Sequence, residues 1–239
     1  MKKILITGCS GSIGSEISNY FIKKKYKIIG IDLFKPNIKY LKKMDFIKCN
    51  LLSEKQIKKT YQLIKKKFRD IDIIINAAGY IHNELLVSYK GKYQFHKTLN
   101  WKKTININLN TVFFSTKYFL PCLINSKSKN KLIINFSSVN SDGIIGQSAY
   151  SATKKAVEIL SKIWSKEFAP FKIRVACLSP GYIKIKSTHL NTNEKNRKKI
   201  ISEIPLKRFG DVKDIINGIN FIINNKYFNG KILKIDGGL

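Results

Sequence analysis

Tyr150 and Lys154 stand four residues apart in the run Tyr150-Ser151-Ala152-Thr153-Lys154, and on a helix that spacing puts both on one face. A tyrosine hydroxyl has an ordinary pKa of about 10, too high for a base at neutral pH. An ammonium beside it favours the phenolate and brings the pair toward proton donation and acceptance. Ser138, twelve residues earlier in Phe136-Ser137-Ser138-Val139, ends an apolar run. Asn108 lies further upstream in Ile105-Asn106-Ile107-Asn108-Leu109. Each has an ordinary explanation: an exposed tyrosine beside a solvated lysine, a serine capping a turn, an asparagine at a helix break. An active site is recognised by the constellation, and these four in one ordered set point to a proton-transfer site.

A second group of residues has the chemistry of phosphate. Thr7-Gly8-Cys9-Ser10-Gly11-Ser12-Ile13-Gly14 joins an apolar run to a helical pattern. A glycine-rich turn there lets the backbone approach a pyrophosphate, which rests on the positive end of the helix. Glycine turns without a ligand are common, so Asp32 is needed. It ends the second apolar run, where a carboxylate accepts hydrogen bonds from the adenosine ribose and repels a 2′-phosphate. No arginine follows it, so NAD is favoured over NADP as cofactor. The alternative for Asp32 is a turn cap.

These residues need elements to hold them. Apolar runs at 3–7, 27–32, 45–50, 71–76, 131–137, 172–178 and 231–236 read as seven strands. Their isoleucine-rich, non-alternating character fits strands buried on both faces of a parallel sheet. Helical patterns fill 14–25, 53–67, 103–125, 149–169 and 211–225, with Ser53 and Gln56 placed for a capping box. The alternation predicts an α/β, doubly wound (Rossmann) seven-stranded parallel sheet flanked by helices, in a single domain spanning 1–239. Two stretches break the rhythm: a polar insertion at 82–99 and a lysine- and asparagine-rich run at 184–205. Long loops in a compact domain are usually functional, and these two are expected near the substrate.

Composition narrows the class. The formal net charge is +30, which invites a nucleic-acid reading. Against it, only four arginines are present (Arg69, Arg174, Arg197, Arg208), whereas base readout favours arginine. The lysines are spread along the whole chain, so no specific nucleic-acid partner is expected. No apolar run is long enough to span a bilayer, and Thr7 and Gly8 cut the first one too short for a signal peptide. A cytoplasmic protein with no membrane partner is expected. Cys9, Cys49, Cys122 and Cys177 lack metal or redox spacing, so no metal is expected and packing explains them, with Cys9 the one open to solvent. His82, His96 and His189 fall outside all these motifs and read as surface-loop residues.

With Asn76-Ala77-Ala78-Gly79 after the fourth strand, Pro180-Gly181 after the sixth and Asp236-Gly237-Gly238 near the last residue, the chain resembles the short-chain dehydrogenase/reductase family over essentially its whole length. The resemblance implies NAD(H)-dependent interconversion of a secondary alcohol and a ketone. Tyr150 would be the general acid/base and Lys154 its helper, also gripping the nicotinamide ribose. Ser138 would polarise the substrate oxygen, and Asn108 would hold a water that relays the proton. Cofactor contacts would come from Gly8, Ser10, Gly11, Ser12, Ile13, Gly14, Asp32, Asn50, Leu51, Asn76, Ala77, Ala78, Gly79, Tyr150, Lys154, Pro180, Gly181 and Ile183.

The chain departs from the family pattern in places. Ser12 stands at the usual middle glycine, Asn50-Leu51 replaces an Asp-hydrophobic pair, and Lys184 replaces a threonine after Pro180-Gly181. The small-molecule substrate stays open. Residues 88–101 and Asn229-Gly230 are similar to short-chain 3-hydroxyacyl-CoA dehydrogenases, and 3-oxoacyl-thioester reductases also look similar. The Gly-Ser-Ile-Gly-Ser turn resembles members of surface-sugar biosynthesis. A lysine-rich mouth would suit an anionic substrate. An idle NAD-binding regulator is the alternative from another class. Family members are commonly homotetramers or homodimers through the helices at 103–125 and 149–169. Val112, Phe113, Tyr118, Phe119, Val157, Leu160 and Trp164 would be interface or core.

Overall fold

A computed structural model describes residues 1–37, 41–185 and 194–239. Its main sheet is built from β1 (Lys3–Thr7), β2 (Lys27–Asp32), β3 (Met44–Lys48), β4 (Ile73–Asn76), β7 (Lys131–Phe136), β8 (Ile173–Pro180) and β9 (Ile232–Ile235). The strands are all parallel and lie in the order β3-β2-β1-β4-β7-β8-β9. The chain steps outward from β1 to β3, then returns to the other side of β1. Beyond the carboxyl ends of β1 and β4 the strand order reverses, which opens a crevice.

The helices are α1 (Ser12–Lys23), α2 (Glu54–Phe68), α3 (Thr98–Ile105), α4 (Thr111–Ile124), α5 (Ser148–Glu167), α6 (Glu194–Glu203) and α7 (Val212–Asn224). Alternate strand residues feed opposite faces. Ile4, Ile6, Ile73, Ile75, Leu132 and Ile134 pack with Ile17 and Phe21 of α1 and Ile215 and Ile219 of α7. Leu5, Ile29, Ile31, Ile74 and Ile133 pack with Ile57 and Ile64 of α2, Phe119 of α4 and Val157 of α5. Both faces are covered, so both positions of the alternation must be apolar, which explains the unbroken isoleucine runs. Burying each such side chain contributes about 1.5–3 kcal/mol.

One polar thread crosses this core. Asn76 Nδ2 donates to Asn135 Oδ1 at 2.8 Å and to Thr116 Oγ1 at 3.2 Å, and Asn135 Nδ2 donates to Ser161 Oγ at 2.9 Å. It ties β4 and β7 to α4 and α5. Asn76 is thereby committed to the interior.

Several boundaries differ from the sequence reading. The helix expected at 103–125 begins at Thr98 and is interrupted by a π turn at Asn106–Asn110. The 82–99 insertion contains a hairpin, β5 (Val87–Tyr89) paired antiparallel with β6 (Tyr93–Phe95), outside the main sheet. The 184–205 run contains α6; the remainder, 186–193 with His189, lies outside the described residues. Ser53 accepts from the Gln56 N–H at 3.4 Å, but Gln56 Oε1 reaches back to the Asn50 N–H at 2.9 Å, so only half of the expected capping box forms. Cys9 is fully buried with the other three thiols, correcting its expected exposure. Burial pushes its thiol up to about 12.

Candidate active site

The turn after β1 folds as it does because Gly8 adopts φ +68° and a Cβ there would lie 2.6 Å from Ala78 Cα. Glycine alone lets the strand-1 turn press against the strand-4 turn. Gly11 then N-caps α1 without a side-chain acceptor, leaving the first-turn amides for an acceptor from outside the chain. Asp32 Oδ2 accepts from the Ser10 N–H at 2.9 Å, while its Oδ1 accepts from the N–H of Leu33 (2.7 Å) and Phe34 (3.3 Å). The carboxylate thus caps its own turn and braces the glycine-rich one. Asn50 Oδ1 likewise caps locally, accepting from the Leu52 N–H at 2.9 Å, and Leu51 is buried.

A cavity of about 830 Å³ begins at Gly11, Ser12, Ile13 and Gly14. Ala77 and Gly79 line it after β4, Ser138 after β7, Tyr150 and Lys154 on α5, and Pro180, Gly181 and Ile183 after β8. Gly8, Ser10, Asp32, Asn50, Leu51, Asn76 and Ala78 are not part of this lining; they end or follow β1 to β4 at the same carboxyl edge of the sheet. A cavity of this size, opening on an uncapped helix start, fits a dinucleotide.

The four candidate catalytic residues converge and are all buried. Ser138 caps the turn after β7, its hydroxyl accepting from the Asn140 N–H at 3.2 Å, and it hydrogen-bonds Tyr150. Lys154 Nζ donates to the Phe136 carbonyl at 2.9 Å and lies 5.7 Å from the Tyr150 ring centre. Burial holds the Lys154 ammonium down to about 8. Burial also raises the Tyr150 hydroxyl above its ordinary value, and the bond from Ser138 opposes this. The expected lowering of Tyr150 by Lys154 is not found in the protein alone: burial sets the direction, and Ser138 is the group that opposes it.

Asn108 occupies the π turn, and its side chain grips Tyr80. Oδ1 accepts from the Tyr80 N–H at 2.9 Å and Nδ2 donates to its carbonyl at 2.8 Å. Beside it, a Cβ on Gly79 would lie 3.4 Å from Asn108 Oδ1 and 3.7 Å from Lys154 Nζ. Gly79 thus leaves a gap that touches both groups.

Other residues at the cavity have no signature in the sequence. Tyr182, after β8, hydrogen-bonds Asn140, and Asn140 Nδ2 donates to Gln147 Oε1 at 3.0 Å. Ile144 and Ile145 line the wall from the loop before α5, and Lys199 and Glu203 from α6. Glu158, one turn beyond Lys154, is buried and accepts from the hydroxyls of Ser137 and Ser141, both at 2.8 Å. It holds the loop on either side of Ser138. Those two hydroxyls lie 17 and 21 residues away, so local spacing gave no sign of this role, although Glu158 also pairs with Lys155 one turn back at 3.3 Å.

Residues 2–198 match the family model described as short chain dehydrogenase. The chain belongs to the short-chain dehydrogenase family. It is 34% identical to the 3-oxoacyl-[acyl-carrier-protein] reductase FabG of Thermotoga maritima, over all of this chain and 97% of that one. Identity to the FabG protein of Buchnera aphidicola subsp. Baizongia pistaciae is 32%, with the same coverage. Among solved structures, a short-chain dehydrogenase from Leptospira borgpetersenii with bound NAD+ superposes with a TM-score of 0.86 at 26% identity, covering 99% of this chain and 92% of that one. ElxO with NADP bound also gives 0.86, at 28% identity and covering 99% and 97%. This short-chain dehydrogenase is an NAD(P)-dependent oxidoreductase acting on CH–OH groups. Among the described residues no helix is long and apolar enough to cross a membrane.

Proposed function

We propose that this short-chain dehydrogenase uses NADH to reduce the keto group of a 3-oxoacyl thioester held on an acidic carrier. The observation that carries the reading is the convergence of Ser138, Tyr150 and Lys154 in one cavity with the α1 N-terminus. The thioester assignment is supported by full-length likeness to 3-oxoacyl-[acyl-carrier-protein] reductases. Exposed Lys199 at the cavity suits an anionic carrier.

A bound nicotinamide would supply the hydride, held by the α1 amides, the turn after β4 and Lys154. Ser138 would donate a hydrogen bond to the carbonyl oxygen and hold it against Tyr150. Tyr150 would deliver its proton to that oxygen as negative charge develops there. The high proton affinity that burial gives Tyr150 suits a donor in this direction. Lys154 would stabilise the phenolate left behind, and a water in the Gly79 gap would return a proton past Asn108. Asp32 would accept from the adenosine ribose with its remaining lone pairs and disfavour NADPH.

The outer faces of α4 and α5 expose Phe113, Ile159 and Ile163, whereas Val112, Phe119, Val157 and Trp164 are core. Of the seven residues expected at an interface or in the core, only Phe113 is exposed, and Tyr118 and Leu160 are half-buried. Phe113 together with Ile159 and Ile163, which the sequence did not single out, supports a homo-oligomer formed through these exposed three.

The test is a panel of 3-oxoacyl thioesters and free hexoses, each with NADH or NADPH for reduction and the oxidised forms for oxidation. Absorbance loss with thioesters and NADH supports the proposal. Turnover of hexoses alone, or preference for NADPH, overturns the corresponding part.

A further inference from the structure

Glu84 ties four segments together through three different groups. Its backbone N–H donates to the Gly146 carbonyl at 2.8 Å. Its backbone carbonyl accepts from His96 Nδ1 at 3.1 Å. Its carboxylate Oε2 lies 3.0 Å from His82 Nε2 and accepts from Asn100 Nδ2 at 3.0 Å, and the Lys97 N–H adds a further bond. The hairpin base, the start of α3 and the 143–147 loop are therefore joined at one residue. That loop supplies Ile144, Ile145 and Gln147 to the cavity and runs directly into the helix bearing Tyr150.

The histidine protons decide how this joint responds to pH. A carbonyl only accepts, so His96 Nδ1 carries a proton. His96 Nε2 then faces Glu84 Oε2 at 3.6 Å, in a side chain only 7% exposed, with no hydrogen-bond partner among the described residues. The bonds from Asn100, with smaller help from His82, hold the Glu84 carboxyl down to about 2, so it stays ionised while imidazoles gain protons. Other groups packed here are Tyr80, stacked on His82, with Lys103 Nζ 4.4 Å from the Tyr80 ring centre, and neutral Trp101 against His96.

We propose that Glu84 is a positioning residue for the substrate wall, its carboxylate holding the charge of protonated His82 and His96 so that residues 80–86 stay bonded to Gly146 as pH falls. The role rests on reading the cavity as the substrate site. Without the carboxylate, two imidazoliums with ring centres 6.0 Å apart repel each other, and the wall loosens only in acid.

Glu84→Gln keeps the shape and removes the charge. Its KM for the keto substrate is expected within about twofold of wild type at about pH 8, and about tenfold higher at about pH 5.5, the effect of one charge interaction. The KM for cofactor stays unchanged at both. Adding His96→Asn, which keeps a donor for the Glu84 carbonyl position, restores most of the acid-side KM. A purely structural role would shift KM equally at both pH values, which overturns the proposal. Hydrogen exchange needs no substrate: the amide at position 84 and the 143–147 segment should lose protection in Glu84→Gln at about pH 5.5 and not at about pH 8. Unchanged protection overturns the proposal even if the thioester assignment fails.

Discussion

Lys154 is a buried charge as well as a candidate catalytic group. An unfolded chain keeps this ammonium protonated up to about 10.5, whereas the folded one releases its proton near 8. Between those values the unfolded state binds more protons, so stability rises with pH across that window, and below it the burial penalty is present in full. A depression from 10.5 to about 8 corresponds to about 3 kcal/mol. Lys154→Met removes this and leaves the Phe136 carbonyl without its donor, a loss of about 1 kcal/mol. The variant should therefore be inactive yet more stable by about 2 kcal/mol at pH 7, with the advantage fading toward pH 10. Urea unfolding at both pH values checks this, and equal stability at pH 7 would contradict it. The spacing of Tyr150 and Lys154 was readable because helix period alone puts them on one face. Glu158 and the Glu84–His82–His96 group were not, because their contacts join segments that only the tertiary fold brings together. The same limit hid the burial of Cys9, whose glycine-rich setting looks like an exposed turn.

At the level of elements, the central parallel strands were legible because burial on both faces demands apolar residues, mostly isoleucine, at successive positions. The β5–β6 hairpin was not. Tyr89, Tyr93 and Phe95 are about 70% exposed, so no buried face imposes a pattern, and the turn at Gly91 is flanked by lysines. Helix α6, with the sequence EKNRKKIISE, has too few apolar residues for a clear stripe. The hairpin base is closed by the His96 N–H donating to the Leu86 carbonyl at 3.0 Å, so residues 87–95 can be replaced by a short turn. That excision should change stability by less than about 1 kcal/mol, since loop length alters closure entropy slowly. Cofactor binding should persist because the hairpin is outside the main sheet. Thermal unfolding with and without NADH checks both, and loss of the cooperative transition would show that the hairpin is part of the fold's support.

The whole molecule carries a net charge of +30, which repels like copies at low salt and gives loose affinity for any polyanion. Association through Phe113, Ile159 and Ile163 must overcome that repulsion. Light scattering should show the oligomer strengthening with salt and Ile159→Asp reducing it to monomer; a monomer at all salt concentrations would contradict the assembly. That repulsion leaves the proposed proton donor for reduction, buried Tyr150, untouched. The most direct measurement follows NADH oxidation with a 3-oxoacyl thioester in wild type and Tyr150→Phe, alongside NADH binding by both. NADH binding should be unchanged and kcat should fall by at least about 10²–10³, as expected for losing a positioned acid. Turnover in Tyr150→Phe within about tenfold of wild type would contradict Tyr150 as the donor.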